Sequence, residues 1–512
     1  MTATLGPAAA GNGTATEGGE TTPRPPDVPH DGTPVGPRHD LPVLEAYRGV
    51  AALMVLVTHV GFISGAGVTG TWRGWLARLD FGVALFFLLS GFLLFRPFVQ
   101  AAYGYRPRVE IGAYLRRRYV RLYPAFVVTV IAVYLLLPAS RDFETALWVQ
   151  TFFMVQNYFT AFGKQLPGLV QTWSLVIEVS FYVCLPLLAM LVLGRGDRLA
   201  RLGTAADPAG PAGPADPDGP DAAPRTRRAA RAAEARRRRS APRRKLASLF
   251  ALPPRWRPYR PAIALGLLFA GSLAWRAIFV VTSDGYGREL LWLPAFVDWF
   301  AAGMALAWFR ERPFPVPEAL RYLANTPGVC LCIGVALYWL TTTGLGGPYD
   351  LVGATAGQVI FKHFTYAVIA TLLMLPGVVG DPAARWRGFA VSPIMRWLGQ
   401  ISFGVFLWHP LLIELIRGAL NYQDFAGAFW ATLLLTLIAS LTVATLSFKF
   451  VEEPAQRRFR NGFRRTAARA PRERSQLSKV RLRVGGRRVR LRLWRRPQAP
   501  ADAPAAPATA TD

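Results

Sequence analysis

Ten stretches of this chain are apolar over close to the roughly 20 residues that a helix needs to cross a bilayer, and this limits the folds open to it. They run about 44–63, 80–99, 119–138, 171–194, 261–281, 290–309, 327–343, 358–379, 395–416 and 427–449. A bilayer offers no water to backbone N–H and C=O groups, so each stretch is expected as a helix. The fold class expected is therefore all-α, a polytopic membrane helix bundle of about ten transmembrane helices. A further apolar stretch at 145–160 contains Gln150, Gln156 and Asn157 and is expected to be interfacial or re-entrant. Composition agrees, with 52% hydrophobic residues and only 18% charged, below the roughly 25% usual for globular chains. A wholly disordered chain is excluded, because 15 Trp and 32 Phe have to be buried somewhere.

The same chain carries 59 Lys+Arg against 31 Asp+Glu, a net charge of +28. With the N-terminus placed in the cytoplasm, the inside segments hold 49 of the 59 basic residues and the outside loops hold 6. Each cytoplasmic loop between spans has at least three, and no outside loop has more than two. This is the positive-inside pattern, and it places both termini in the cytoplasm of a multi-pass protein of the plasma membrane. Residues 1–40 lack the basic start and apolar core of a cleaved signal peptide and are expected to be a disordered tail. The transmembrane domain is expected over 41–456, interrupted by a disordered Pro- and Arg-rich linker at 203–260. Residues 457–512 are expected to be a basic, mostly disordered tail. Within it, 480–496 alternates apolar and Arg residues around Gly485-Gly486, the pattern of either an amphipathic hairpin on anionic lipid or a solvated basic tail. Basic charge alone does not make a nucleic-acid binder, and no such partner is expected.

Ionisable groups inside a bilayer are costly, so each is a functional candidate. The first span, LEAYRGVAALMVLVTHV, carries Glu45, Arg48 and His59. Arg48 and His59 are eleven residues apart, within about 20° of three full turns, so they share a face about 16 Å apart along the axis. A lone membrane His is often a packing residue, but one with a cation in register is a candidate base. Ser90-Gly91 in the second span permits close helix approach. Arg116, Arg117, Arg118 and Arg121 form a cluster that suits either ordinary cytoplasmic charge or a phosphorylated ligand. In QTWSLVIEVSFYV, Trp173 and Ser174 precede Glu178, a buried carboxylate that needs a partner. His59 at similar depth is the partner expected, forming a His–carboxylate pair. Arg276 and Asp298 are candidate polar lining, as is His409, for which an aromatic belt and a Pro kink at Trp408-His409-Pro410 are the alternative. The three cysteines give no disulfide framework and no zinc-ligand spacing with a His, and the scattered histidines make no metal site.

These residues resemble the integral-membrane acyltransferase-3 family, which O-acylates carbohydrates, cell-surface polysaccharides and, in actinobacteria, macrolide-type antibiotics. The blocks that carry the resemblance are LEAYRGVAALMVLVTHV, FGVALFFLLSGFLLFRPF, RRRYVRLYP, QTWSLVIEVSFYV, LGQISFGVFLWHP and FKFVEEPAQRR, in the family's order. The resemblance implies acyl-CoA, acetyl-CoA in the first instance, as a co-substrate entering from the cytoplasm, with no resident cofactor. It implies that Arg48, Arg116, Arg117, Arg118 and Arg121 meet the donor's phosphates, with Glu45 beside them. His59 would be the base, supported by Glu178, and a hydroxyl of a glycan or small molecule the acceptor. Membrane lipids would be met by the basic tails. The sequence departs from the family at Glu45, often Asp there, at Val179, often acidic, and at Glu453, often Arg. The residues after Arg457 are not expected to form the family's fused esterase-like domain, so transfer is expected to finish in the membrane core or through a partner protein. A transporter or flippase using the same ions as a proton relay is the competing class. A lipid-anchoring scaffold explains the tails but not His59 or Glu178.

Overall fold

The computed structural model describes residues 41–160, 163–194, 259–283, 287–312, 316–349, 353–423 and 425–459, together with the backbone of 478–484 and 487–493. The N-terminal tail 1–40, most of the linker 203–260 and most of the C-terminal tail lie outside them. Every one of the ten apolar stretches folds as a helix: α1 Val43–Ile63, α2 Phe81–Ala102, α3 Ile111–Leu136, α4 Thr172–Leu193, α5 Arg260–Thr282, α6 Val297–Glu311, α7 Pro327–Thr341, α8 Ala356–Val378, α9 Pro393–Leu420 and α10 Phe429–Ser447. Among the described residues, eight helices are long and apolar enough to cross a membrane, or nine if the pair Glu318–Asn325 and α7, bent by 87°, counts as one.

The helical bundle is as expected, but two of the ten stretches, expected near 20 residues each, form shorter helices, α6 and α7, each 15 residues long. Fifteen residues rise about 22 Å, short of a hydrocarbon core of about 30 Å. In α6 the missing length is two 3₁₀ turns, Arg288–Leu291 and Leu293–Phe296, the second with Pro294 in its first turn. The 145–160 stretch does not span either. It folds as a helix of 8 residues, Thr145–Phe152, and a 3₁₀ turn whose Gln156 and Asn157 are buried. Gln156 Nε2 donates to Thr172 Oγ1 at 3.0 Å and Asn157 Nδ2 to Trp173 O at 2.8 Å, fastening the segment to the start of α4. In the C-terminal tail, Ser478–Val484 and Arg487–Leu493 pair as an antiparallel hairpin, β1 and β2, with Val484 opposite Arg487. The hairpin reading therefore describes that backbone, with Gly485-Gly486 outside the described residues.

Large apolar side chains such as Ile131, Leu187, Leu267, Val281, Trp430 and Leu434 are exposed on the outside of the bundle, where lipid replaces water. Inside, α2 and α6 approach through glycines. A Cβ on Gly91 would strike Phe300 O, and one on Gly303 would strike Leu88 O. The contact lets Phe300 stack on Phe87, at 4.6 Å between centroids, and on Phe181, at 4.0 Å. These interfaces obey the small-residue rule expected from Ser90-Gly91. Gly303→Leu should therefore push α6 off α2 and lower stability by about 1–3 kcal/mol, the usual cost of overpacking. Thermal unfolding of the detergent-solubilised protein measures it, and an unchanged midpoint would contradict the packing described.

Candidate functional site

α1 and α9 run parallel and very close, because a Cβ on Gly49 would lie 2.9 Å from Leu398 Cβ. Ten or eleven residues further along each helix, the same contact brings His59 against His409. His59 Nδ1 lies 2.8 Å from Val55 O, and His409 Nδ1 lies 3.0 Å from Val405 O. A carbonyl only accepts, so both Nδ1 atoms carry hydrogen and both Nε2 atoms a lone pair. His409 Nε2, 3.3 Å from His59 Nδ1, accepts a share of that hydrogen. His59 Nε2 remains the basic atom of the pair, and His409, fully buried, holds the ring in place.

His59 lines a cavity of about 440 Å³ with Thr58, Asp80, Gln171, Trp173, Tyr349 and Lys362. A capping box at Thr355 and Gln358 fixes the start of α8, and Lys362 follows one to two turns later. Its Nζ donates to Asp80 Oδ2 at 2.6 Å, while Tyr366 OH donates to Asp80 Oδ1. Gln171 Nε2 donates to Leu407 O at 2.7 Å, locking the entry of α4 to α9.

A second cavity, of about 60 Å³, is lined by Arg48, Ser90, Arg118, Arg121, Ser174, Glu178 and Tyr182. Glu178 Oε1 accepts hydrogen bonds from Ser90 Oγ at 2.7 Å and from Tyr182 OH at 2.5 Å. Arg118 Nε is buried with no hydrogen-bond partner among the described residues. Arg121 lies within the electrostatic reach of Arg48 and Arg118, two like charges, and of Glu178 as a compensating one. Three guanidinium groups and one carboxylate in one lining leave an excess of positive charge that suits an anion with several oxygens. The two cavities share Val83, Ser174 and Phe406 as wall residues, so they abut there.

An acyltransferase-domain family matches residues 42–449, the whole helical region that holds both cavities. The chain belongs to this acyltransferase-3 family. Over 442 residues the chain is 24% identical to the putative peptidoglycan O-acetyltransferase YrhL of Bacillus subtilis (strain 168), an alignment covering 81% of this chain and 54% of that protein. It is 23% identical over 448 residues to the peptidoglycan O-acetyltransferase OatA of Listeria monocytogenes, covering 83% and 57%. It is 27% identical over 437 residues to the O-acetyltransferase OatA of Staphylococcus aureus (strain NCTC 8325 / PS 47), covering 82% and 58%. The chain thus spans little more than half the length of these relatives. No solved structure matches it. The transporter or flippase reading is not favoured by this membership.

In this family member several residues expected to act together are separated. His59 and Glu178 are not a pair: Glu178 is held by Ser90 and Tyr182 in the arginine cavity, and His59 by Val55 and His409 beside the other. Similar depth in a bundle does not bring two helices side by side. The arginine cluster divides, with Arg118 and Arg121 lining the cavity and Arg116 and Arg117 exposed and in neither lining. Glu45, on α1, is in the lining of neither cavity. Asp298 is likewise no part of either. It is fully buried, accepts from Ser272 Oγ at 3.0 Å and lies 3.5 Å from His363 Nδ1, near the buried Arg276. Trp173 lines the His59 cavity, Ser90 the arginine cavity, and Ser174 both.

Asp80, Lys362, Gln171 and Tyr182 were not singled out as site residues by sequence. Lys362 carries the one signal that was there to use, a cation set inside an apolar span. Tyr182 stands one turn after Glu178, the i+4 spacing at which side chains meet.

Proposed function

We propose that this chain is a membrane O-acyltransferase that takes an acyl group from acyl-CoA and delivers it to a hydroxyl of a cell-envelope glycan or glycosylated small molecule. The relatives' names point to acetyl as the group and peptidoglycan as a candidate acceptor. The observation that carries the reading is the pair of abutting cavities, one lined by three arginines and the other by a histidine whose Nδ1 is engaged by Val55 O and whose Nε2 has no hydrogen-bond partner among the described residues. On this reading Arg48, Arg118 and Arg121 bind the donor's phosphates, and the thioester reaches past Val83, Ser174 and Phe406 to His59. His59 Nε2 takes the proton of the acceptor hydroxyl as its oxygen attacks the thioester carbonyl. The new C–O ester bond forms, the C–S bond breaks, and the proton passes to the departing thiolate. His409 stabilises the transient imidazolium by accepting from Nδ1–H. On this reading the arginine end faces the cytoplasm and the His59 end the outside of the plasma membrane, the orientation that the positive-inside charge of the loops supports.

Membranes from cells with and without the chain, supplied with radiolabelled acetyl-CoA, test the activity. The expected result is chain-dependent label in the glycan or glycolipid fraction, released by mild base as an ester is. Equal label in both membranes would overturn the reading.

A further inference from the structure

The His59 cavity contains an ion pair to which the proposed chemistry gives no task. Asp80, just before α2, and Lys362, in the second turn of α8, meet at 2.6 Å, and Lys362 stands in an apolar segment where ionisable side chains are expensive. They are not sealed off as a structural pair would be. The Asp80 side chain keeps 40% of its surface accessible and Lys362 keeps 24%, and both line the cavity. Tyr366 takes one Asp80 oxygen and Lys362 the other, yet a carboxylate has about four lone-pair positions and an ammonium three hydrogens. Donor and acceptor capacity is therefore left over on adjacent groups that share a cavity wall with His59.

The charges around this cavity balance, with Arg78 and Lys362 against Asp80 and Glu414. Arg78 is spent on the wall itself: Nε donates to Thr341 O at 2.8 Å and Nη2 to Gly346 O at 2.8 Å. Glu414 is paired with Arg417 at 3.0 Å. The arginine cavity next door has three cations and one carboxylate. One cavity thus suits an anion and the other an uncharged ligand. Trp173 and Tyr349 add aromatic surface to the second, and its 440 Å³ falls in the range of small-molecule sites.

We infer that the Asp80–Lys362 pair is the acceptor-reading element of the His59 cavity, and that it selects an uncharged saturated ring with adjacent hydroxyls. One hydroxyl donates to Asp80, its neighbour accepts from Lys362, and the C–H face of the ring lies on an aromatic side chain. The inference rests on the proposed transferase reading for its use, but the binding it describes can be measured without any transfer. A site built to hydrogen-bond a hydroxyl rejects ligands that leave its polar groups unpaired, and an added carboxylate or phosphate would upset the balance of charge.

The test is equilibrium binding to the full chain in lipid nanodiscs, without acyl-CoA, using methyl β-glucopyranoside as the neutral probe and glucuronate and glucose 6-phosphate as charged ones. The neutral probe should bind at least about 10-fold more tightly than either charged one. Asp80→Asn and Lys362→Gln should each weaken it about 10-fold or more while acyl-CoA affinity stays at the wild-type value. Asp80→Glu and Lys362→Arg retain the ion pair and should keep the unfolding temperature yet still weaken the sugar, which a purely structural pair would not do. Wild-type sugar affinity in all four variants, or glucuronate bound as tightly as the glucoside, overturns the inference. Label transfer is read separately. Pair-dependent sugar binding with no transfer refutes the transferase reading alone, and transfer with an acceptor KM indifferent to the pair refutes this inference alone.

Discussion

His59→Ala should lower kcat by about 10²–10⁴-fold, the contribution of a positioned general base, while the KM for acyl-CoA stays within about twofold. That split is expected because His59 and the three arginines line different cavities, so the donor loses none of its phosphate contacts. A fall in kcat with KM unchanged marks an interaction made in the transition state alone. His409→Gln should give a smaller loss of kcat, because His409 acts only by holding His59 Nδ1 at 3.3 Å. Initial rates at saturating donor measure both. A His59→Ala protein working at the wild-type rate would remove the base from the mechanism.

The second large effect belongs to the arginines, and it should divide the cluster. Arg118→Ala and Arg121→Ala should each raise the KM for acyl-CoA about 10- to 100-fold, the worth of a charge-assisted hydrogen bond of about 1.5–3 kcal/mol. Arg116→Ala and Arg117→Ala should change it less than about twofold, because these two side chains are exposed, line neither cavity and remain in high dielectric. Equal effects at all four positions would mean that the cluster acts through its summed charge and not through the two inward groups.

That division was only partly within reach of the sequence. Tyr114, Leu122 and Ala125 are buried, Arg118 and Arg121 fall on the same stripe at helical spacing and Arg116 falls on the far side, but Arg117, four residues before Arg121, borders the stripe and spacing alone does not separate it. The ten helices were legible for a simpler reason: continuous apolar length is a local property, and lipid demands internally bonded backbone wherever it occurs. The shortness of α6 was not, because a hydropathy window reads Leu293-Pro294-Ala295-Phe296 as apolar without seeing that it folds as a 3₁₀ turn. Side-to-side neighbours were the least legible. His59 and His409 are 350 residues apart, and depth along a helix does not reveal which of several helices stands beside it. Glu178 was for that reason assigned to His59, when its partners are Ser90 on α2 and Tyr182 one turn along its own helix. The Asp80–Lys362 contact joins residues 282 apart in the same way.

On the proposed mechanism the donor is held at the Arg48 end of the bundle and the acyl group leaves at the His59 end. Proteoliposomes with the protein in a single orientation, offered membrane-impermeant radiolabelled acetyl-CoA on one face at a time, separate the two ends. With a hydroxyl acceptor on the opposite face, label should appear in the acceptor only when the donor is on the face that carries the N-terminal end of α1. Transfer that requires donor and acceptor on the same face, or that proceeds when the donor is offered only on the His59 side, would contradict the account.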